Sequence, residues 1–149
     1  MMSMSTTKDI EKFLNVTVLS GSLDANVLLR VLLIDVPAQH DKASRLLQDT
    51  SHPFIVADTA IIEVVFVLGR NYGFNRAAIS EAVEGLMELP QIDCNNVLFQ
   101  KALPLYVQYP ALSFEDCCLA TYADLNDARP LWTFDKKLAN QAPSVKLIK

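Results

Sequence analysis

Short apolar runs alternate with longer segments of helical periodicity from about residue 17 to the end of the chain. The apolar runs predict strands near 17–23, 54–57, 91–94, 129–134 and 145–148. The periodic segments, with their cap residues, predict helices over 25–35, 37–49, 58–72, 75–89, 96–109, 113–126 and 135–140. Strands and helices that alternate in this way indicate an α/β fold with a parallel sheet and helices on both of its faces.

The beginning of the chain is polar and differs from the rest. We divide the sequence into an N-terminal extension, residues 1–16, with a short predicted helix at 7–14, and one domain, residues 17–149. The N-terminus lacks the apolar stretch of a secretory signal. No run approaches the ~20 apolar residues that are needed to cross a bilayer. We therefore expect a soluble, cytoplasmic protein without membrane contact.

Composition narrows the class of protein only slightly. A chain of 149 residues with an apolar fraction of 51% is expected to form one domain with a sizeable core. The net charge of −4 gives no electrostatic reason to expect nucleic-acid binding. Cys94, Cys117 and Cys118 are odd in number and include an adjacent pair, which favours reduced cysteines packed as apolar residues over disulfides or a zinc site.

Four acidic residues stand at places where a parallel sheet would expose them. Asp24 directly follows the first strand, and Asp135 directly follows the strand at 129–134. Asp116 lies in the first turn of a predicted helix, and Glu63 lies at the centre of the apolar stretch AIIEVVFVL. Because ligands gather at the carboxyl edge of such sheets, these acids are expected to converge there.

Each acid also has a structural explanation. Asp24 and Asp135 are suited to cap helices, and Asp116 has the spacing of a capping box opened by Ser113. Glu63 has no capping role, and its helix is apolar on nearly every side, so we expect a carboxylate that is costly to bury without a partner. The alternative places Glu63 at a helix edge, where it reaches solvent or pairs with a distant arginine.

A cluster of carboxylates needs a cation if all of its members are to stay ionised near neutral pH. Without one, mutual repulsion would keep some of the carboxyl groups protonated. Hard oxygen ligands that are not accompanied by histidine or cysteine favour Mg²⁺ or Mn²⁺ over zinc.

Four segments resemble, in order and spacing, the motifs of PIN-domain nucleases, and most of all those of VapC-type toxins from prokaryotic toxin–antitoxin pairs. They are LDANVLLRVLL, IIEVVFVL, SFEDCCLATYA and PLWTFDKKL, and the resemblance extends over the chain from about residue 17. It implies a PIN-like, three-layer α/β/α fold with a central, mainly parallel sheet of about four to five short strands.

The resemblance also implies roles for individual residues. The catalytic residues, which also hold Mg²⁺ or Mn²⁺, would be Asp24, Glu63, Asp116 and Asp135. Asn26 and Thr133 would orient these ligands and water, whereas the alternatives are that Asn26 caps the first helix and Thr133 is β-branched filler. Lys136 and Lys137 are weaker candidates for substrate contacts, with solvated helix positions as the alternative.

The implied activity is that of an endoribonuclease in which metal-activated water hydrolyses an RNA phosphodiester. The expected partners are the RNA substrate, a small antitoxin protein and a second copy of the chain in a homodimer. One alternative is a non-catalytic PIN-like scaffold that binds RNA or a protein. A receiver-like phosphoacceptor domain is disfavoured, because the acidic pair that it needs near the first strand is missing. The turn LNDAR departs from the family pattern and predicts a left-handed conformation at Asn126 or Asp127.

Overall fold

The computed structural model describes Thr6 and residues 18–149, and the structural statements that follow concern these residues. The strands are β1 (Gly21–Ser22), β2 (Phe54–Ile55), β3 (Ile92–Asp93), β4 (Leu131–Thr133) and β5 (Val145–Leu147). The helices are α1 (Ala25–Leu32), α2 (Pro37–Gln48), α3 (Asp58–Arg70), α4 (Arg76–Glu88), α5 (Asn96–Gln108), α6 (Phe114–Leu125) and α7 (Lys136–Gln141). The helix predicted at 7–14 and the domain boundary at 16/17 lie outside the described residues.

The described strands pair only in parallel. β1, β2 and β3 form one sheet in that order, with Gly21 opposite Phe54 and Phe54 opposite Ile92. β4 and β5 form a second parallel pair, with Trp132 opposite Lys146. Together with the helices, these strands give the three-layer α/β/α arrangement that the sequence predicts.

Side-chain caps begin several of the helices. The side chain of Asn75 accepts a hydrogen bond from the backbone N–H of Ala78 and opens α4, and Ser113 opens α6 in the same manner. Helix α5 continues past Pro104 as one element. In the turn before β4, Asp127 has a φ of 50°, so the predicted left-handed residue is found there.

Helix α3 is the centre of the packing. Its residues Ile61, Val64, Val65 and Leu68 are at most 3% exposed and form one continuous stripe. This helix packs against α1, α4 and α6, and side chains of this size contribute about 1.5–3 kcal/mol each when they are fully buried. Because α3 begins directly after β2, the same packing fixes the position of its first two turns at the sheet edge.

The described residues bear on two further predictions, those about the cysteines and about membrane crossing. The cysteines are free, with Cys117 and Cys118 buried in the core and Cys94 half-buried, as expected for unbridged residues. None of the helices in the described part of the chain combines the length and the apolar character that crossing a membrane would need.

Candidate functional site

An open crevice of about 870 Å³ lies at the carboxyl ends of β1, β2 and β3. Four carboxylates line it: Asp24, Asp58, Glu63 and Asp93. The described residues around the crevice include no lysine, arginine or histidine. Carboxylates that share a crevice without basic neighbours create a negative potential, which attracts cations and repels other anions.

Asp24 is held in the crevice by the helix that it caps. Its Oδ1 accepts a hydrogen bond of 3.0 Å from the backbone N–H of Val27, so the capping role considered from the sequence is observed. Its Oδ2 has no hydrogen-bond partner among the described residues. A carboxylate can therefore cap α1 with one oxygen and present the other to a ligand.

Glu63 is exposed, and the expectation that its carboxylate would be buried is wrong. Only the stripe on the opposite side of α3 is packed, while Glu63, Phe66 and Arg70 lie on its solvent face at i, i+3 and i+7. The alternative position, at a helix edge that reaches solvent, is the observed one. The side chain nevertheless lines the same crevice as Asp24.

Asp116 is half-buried in the first turn of α6 and does not line the crevice. Helix α6 packs against α3, and Cys118 of α6 is buried in the core. Burial raises the pKa of Cys118 to about 12, with smaller contributions from Cys117, Asp58 and Glu115. Since Asp58 begins α3 and Glu115 belongs to the first turn of α6, charges at both helix starts act on one thiol.

Asp135 caps α7 and does not line the crevice either. Its Oδ1 accepts hydrogen bonds from the backbone N–H groups of Lys137 and Leu138, at 2.9 and 3.1 Å. The Oγ1 of Thr133 in turn accepts a bond of 2.9 Å from the backbone N–H of Asp135. Thr133 therefore fixes the backbone from which the Asp135 carboxylate projects.

The remaining candidates lie outside the acidic crevice. Asn26 does not cap α1, because Asp24 does, and it lines a smaller groove between α1 and α2 with Arg30 and Lys42. Lys136 and Lys137 are exposed at the start of α7 and do not line the crevice. Their role as substrate contacts stays a prediction.

Sequence reasoning missed Asp58 and Asp93, which complete the acidic lining. Asp93 ends β3, and Asp58 follows β2 and accepts a hydrogen bond of 3.3 Å from the Nδ2 of Asn95. The signal that identified Asp24, an acid at the carboxyl end of a parallel strand, applied equally to both. Burial, followed by the charges of Asp93 and Asp58, raises the pKa of Cys94 beside them to about 11.

The chemistry of the lining fits a hard divalent cation, because carboxylate oxygens are the ligands that Mg²⁺ and Mn²⁺ prefer. Among the described residues, however, no three histidine, cysteine, aspartate or glutamate side chains lie close enough together to hold one ion. Asp24 and Glu63 share the crevice, whereas Asp116 and Asp135 stand on flanking helices. A joint role of the four acids stays a prediction.

Comparison with known proteins identifies the family. Residues 22–142 match the family described as PIN domain, and PIN domains are generally nucleases, which typically use divalent metals. No curated protein matches the chain with significance. The matched range runs from Ser22 at the end of β1 to just past α7, and so includes the acidic crevice and all four predicted acids. The chain therefore belongs to the PIN domain family.

Proposed function

We propose that this protein is an endoribonuclease that depends on Mg²⁺ or Mn²⁺. The observation that carries the proposal is the crevice at the strand ends, lined by Asp24, Asp58, Glu63 and Asp93 without a described basic residue. Such a surface repels an RNA phosphate unless a cation lies between them. Since PIN domains are generally nucleases, such a cation would take part in cleavage of the phosphodiester.

In this proposal, Asp24, Glu63, Asp116 and Asp135 hold the divalent cation. When bound, such an ion lowers the pKa of a water molecule and stabilises the charge that develops on the departing oxygen. Asp24 and Asp135 are restrained by the backbone N–H groups that they cap, which limits the rotamers from which they present a second oxygen. Thr133 restrains the Asp135 backbone, while Lys136 and Lys137 directly follow Asp135 in the first turn of α7 as candidate phosphate contacts.

The test is cleavage of single-stranded RNA by purified protein with Mg²⁺, with Mn²⁺ and with a chelator. We expect cleavage only with the metals and a loss of at least about 100-fold in rate on Asp24→Asn, the size typical of losing a group that stabilises the transition state. Asparagine caps helices as well as aspartate does, so this variant removes the charge and keeps the fold. Asp41→Asn, an exposed acid on α2 outside the crevice, is the matched control.

Unchanged cleavage by Asp24→Asn would contradict this mechanism. A non-catalytic scaffold remains the second candidate, because two of the four acids already serve as helix caps and no three described acids come together. The scaffold predicts RNA or protein binding with no cleavage under any metal, and no change in affinity when Mg²⁺ is added.

We further propose that the protein is the toxin of a VapBC-type pair, that it is neutralised by a small antitoxin and that it dimerises. The support is the motif resemblance, together with an apolar side chain left exposed at the end of the segment ANVLLRVLLIDV, residues 25–36. Ile34, after α1, is 66% exposed. We expect a short upstream reading frame whose product has a DNA-binding N-terminus. Co-expression of that product should abolish cleavage. A stand-alone gene would contradict this assignment and leave the nuclease intact.

A further inference from the structure

A second groove, of about 700 Å³, opens beside Glu63 and is continuous with the acidic crevice. Thr59 and Glu63 line both spaces, so a ligand can pass from one to the other without leaving the surface. The groove runs along α3 toward Arg70, and the first turn of α6 forms its opposite wall. It is more apolar than the crevice, with Phe66 and Phe114 among its lining residues.

Phe66 and Arg70 give this groove a particular chemistry. Phe66 is 59% exposed and lies one helical turn from Glu63. The guanidinium carbon of Arg70 lies 5.8 Å from the ring centroid, and Arg70 has no ion pair or hydrogen bond among the described residues. An exposed aromatic ring beside an available guanidinium is the combination that binds nucleic-acid bases and phosphates.

The second arginine of the groove is already engaged. Arg76 donates hydrogen bonds to the carbonyl oxygens of Tyr106 and Tyr109, at 2.7 and 3.3 Å, and lies 4.0 Å from the Tyr106 ring centroid. Glu115, on the α6 wall, disfavours a phosphate on that side. A phosphate in the groove is therefore best placed against Arg70.

We infer that Phe66 and Arg70 form a subsite for one unpaired nucleotide of the RNA substrate, in which the base stacks on Phe66 and a phosphate meets Arg70. This inference rests on the proposed nuclease function and extends it by naming two residues that would bind an unpaired nucleotide beside the acidic crevice. In a duplex, neighbouring base pairs occupy both faces of a base, so only a single-stranded or looped segment can stack on Phe66. Continuity with the crevice and the charge of Arg70 favour RNA over a protein occupant.

The experiment compares the full-length wild type with Phe66→Leu and Phe66→Trp. Tyr122→Leu is the matched control, because Tyr122 is 60% exposed and lines none of the grooves described above. Binding of a labelled ten-nucleotide uridine oligomer is measured by fluorescence anisotropy with Ca²⁺, a hard cation that takes oxygen ligands, in place of Mg²⁺. KM and kcat are then measured with Mg²⁺. An abasic oligomer of the same length and a duplex are the ligand controls.

We expect Phe66→Leu to weaken binding of the uridine oligomer by about five- to 150-fold, the range of base–aromatic stacking, and to raise KM with kcat nearly unchanged. Phe66→Trp restores both values, Tyr122→Leu matches the wild type, and the wild type binds the abasic oligomer and the duplex as weakly as Phe66→Leu does. Thermal melting shows that the exposed substitution leaves the fold intact.

Three outcomes overturn the subsite. If Phe66→Leu keeps wild-type affinity and KM while the wild type cleaves RNA, the proposed nuclease stands without the subsite. If Phe66→Leu changes only the mass of the native assembly, the groove is a protein interface. If the wild type neither binds nor cleaves RNA, the subsite and the proposed function fail together.

Discussion

The carboxylate of Asp24 shows how one residue serves both the fold and the proposed chemistry. One oxygen satisfies the N–H of Val27 at the start of α1, and the other is directed to no described donor. Asparagine preserves the first interaction and removes the charge, whereas alanine removes both. The two substitutions therefore separate stability from chemistry.

For the stability of Asp24 variants, we expect Asp24→Ala to lower the free energy of unfolding by about 1 kcal/mol, the usual cost of a lost N-cap. Asp24→Asn is expected to unfold within about 0.5 kcal/mol of the wild type. Urea denaturation monitored by circular dichroism measures both. Equal destabilisation by the two substitutions would show that the charge, rather than the cap, stabilises α1.

Cys94 reports on the acids beside it. Its pKa of about 11 reflects burial first and then the negative charges of Asp93 and Asp58, which disfavour the thiolate. Because the thiolate is the reactive form, the rate of alkylation at Cys94 should rise by about tenfold per pH unit between pH 8 and 10. Asp93→Asn removes one of the charges and should speed the reaction at pH 9. Peptide mass spectrometry separates Cys94 from the other thiols, and a plateau near pH 9 in the wild type would contradict the prediction.

At the scale of elements, a three-residue link joins the end of α1 to the end of α3. Arg30 pairs with Asp35 at 2.9 Å, and the hydroxyl of Tyr72 donates a hydrogen bond of 2.6 Å to the same carboxylate. The Nδ1 of His40 in α2 lies 2.7 Å from the carbonyl oxygen of Arg30, which adds a third helix to the link. The link lies at the opposite end of α3 from the crevice. We therefore expect it to affect how the helices are placed and not the chemistry of the crevice.

This link predicts a dependence of stability on pH. The hydrogen bond from Tyr72, followed by the interaction with Arg30, lowers the pKa of Asp35 below its usual 3.8. A carboxyl group whose pKa is lowered by folding stabilises the protein above its unfolded pKa and loses that contribution as the pH falls through the folded value. Asp35→Asn should therefore lower the urea midpoint at pH 7, with a difference from the wild type that shrinks below about pH 4. A difference that stays constant down to pH 3 would show that the charge of Asp35 contributes nothing.

The sequence predicted the elements well because their signals are local. Asn75 and Ser113 open the helices that they were expected to open, since a cap depends only on the residues next to it. The strands are shorter than predicted, as in β1, because pairing depends on partners distant in sequence. Glu63 was expected to be buried because an apolar segment does not reveal which of its faces the rest of the fold leaves open.

At the scale of the molecule, the four predicted acids belong to the starts of four helices, with Asp24 and Asp135 as the N-caps of α1 and α7 and with Glu63 and Asp116 in the first two turns of α3 and α6. Their order along the chain could be predicted from sequence motifs. The tendency of ligands to bind at the carboxyl edge of a parallel sheet also predicted the position of Asp24 correctly. The distances among them were not readable, because they are set by the packing of helices that are far apart in sequence. A cation shared by these acids would tie separate helices together, and its binding should therefore be measurable as a change in the stability of the whole domain.

We expect Mg²⁺ or Mn²⁺ to stabilise the folded protein through Glu63. At a concentration of 100 times its dissociation constant, an ion that binds only the native state adds about 2.7 kcal/mol, which corresponds to about 5 °C or more in Tm for a domain of this size. Glu63 is exposed, so Glu63→Gln should leave the metal-free Tm unchanged and reduce the metal-induced increase. Glu81→Gln, an exposed acid on α4 outside the crevice, should retain the full increase. Differential scanning calorimetry with and without metal decides the matter, because an equal increase in both variants would mean that the ion binds without Glu63.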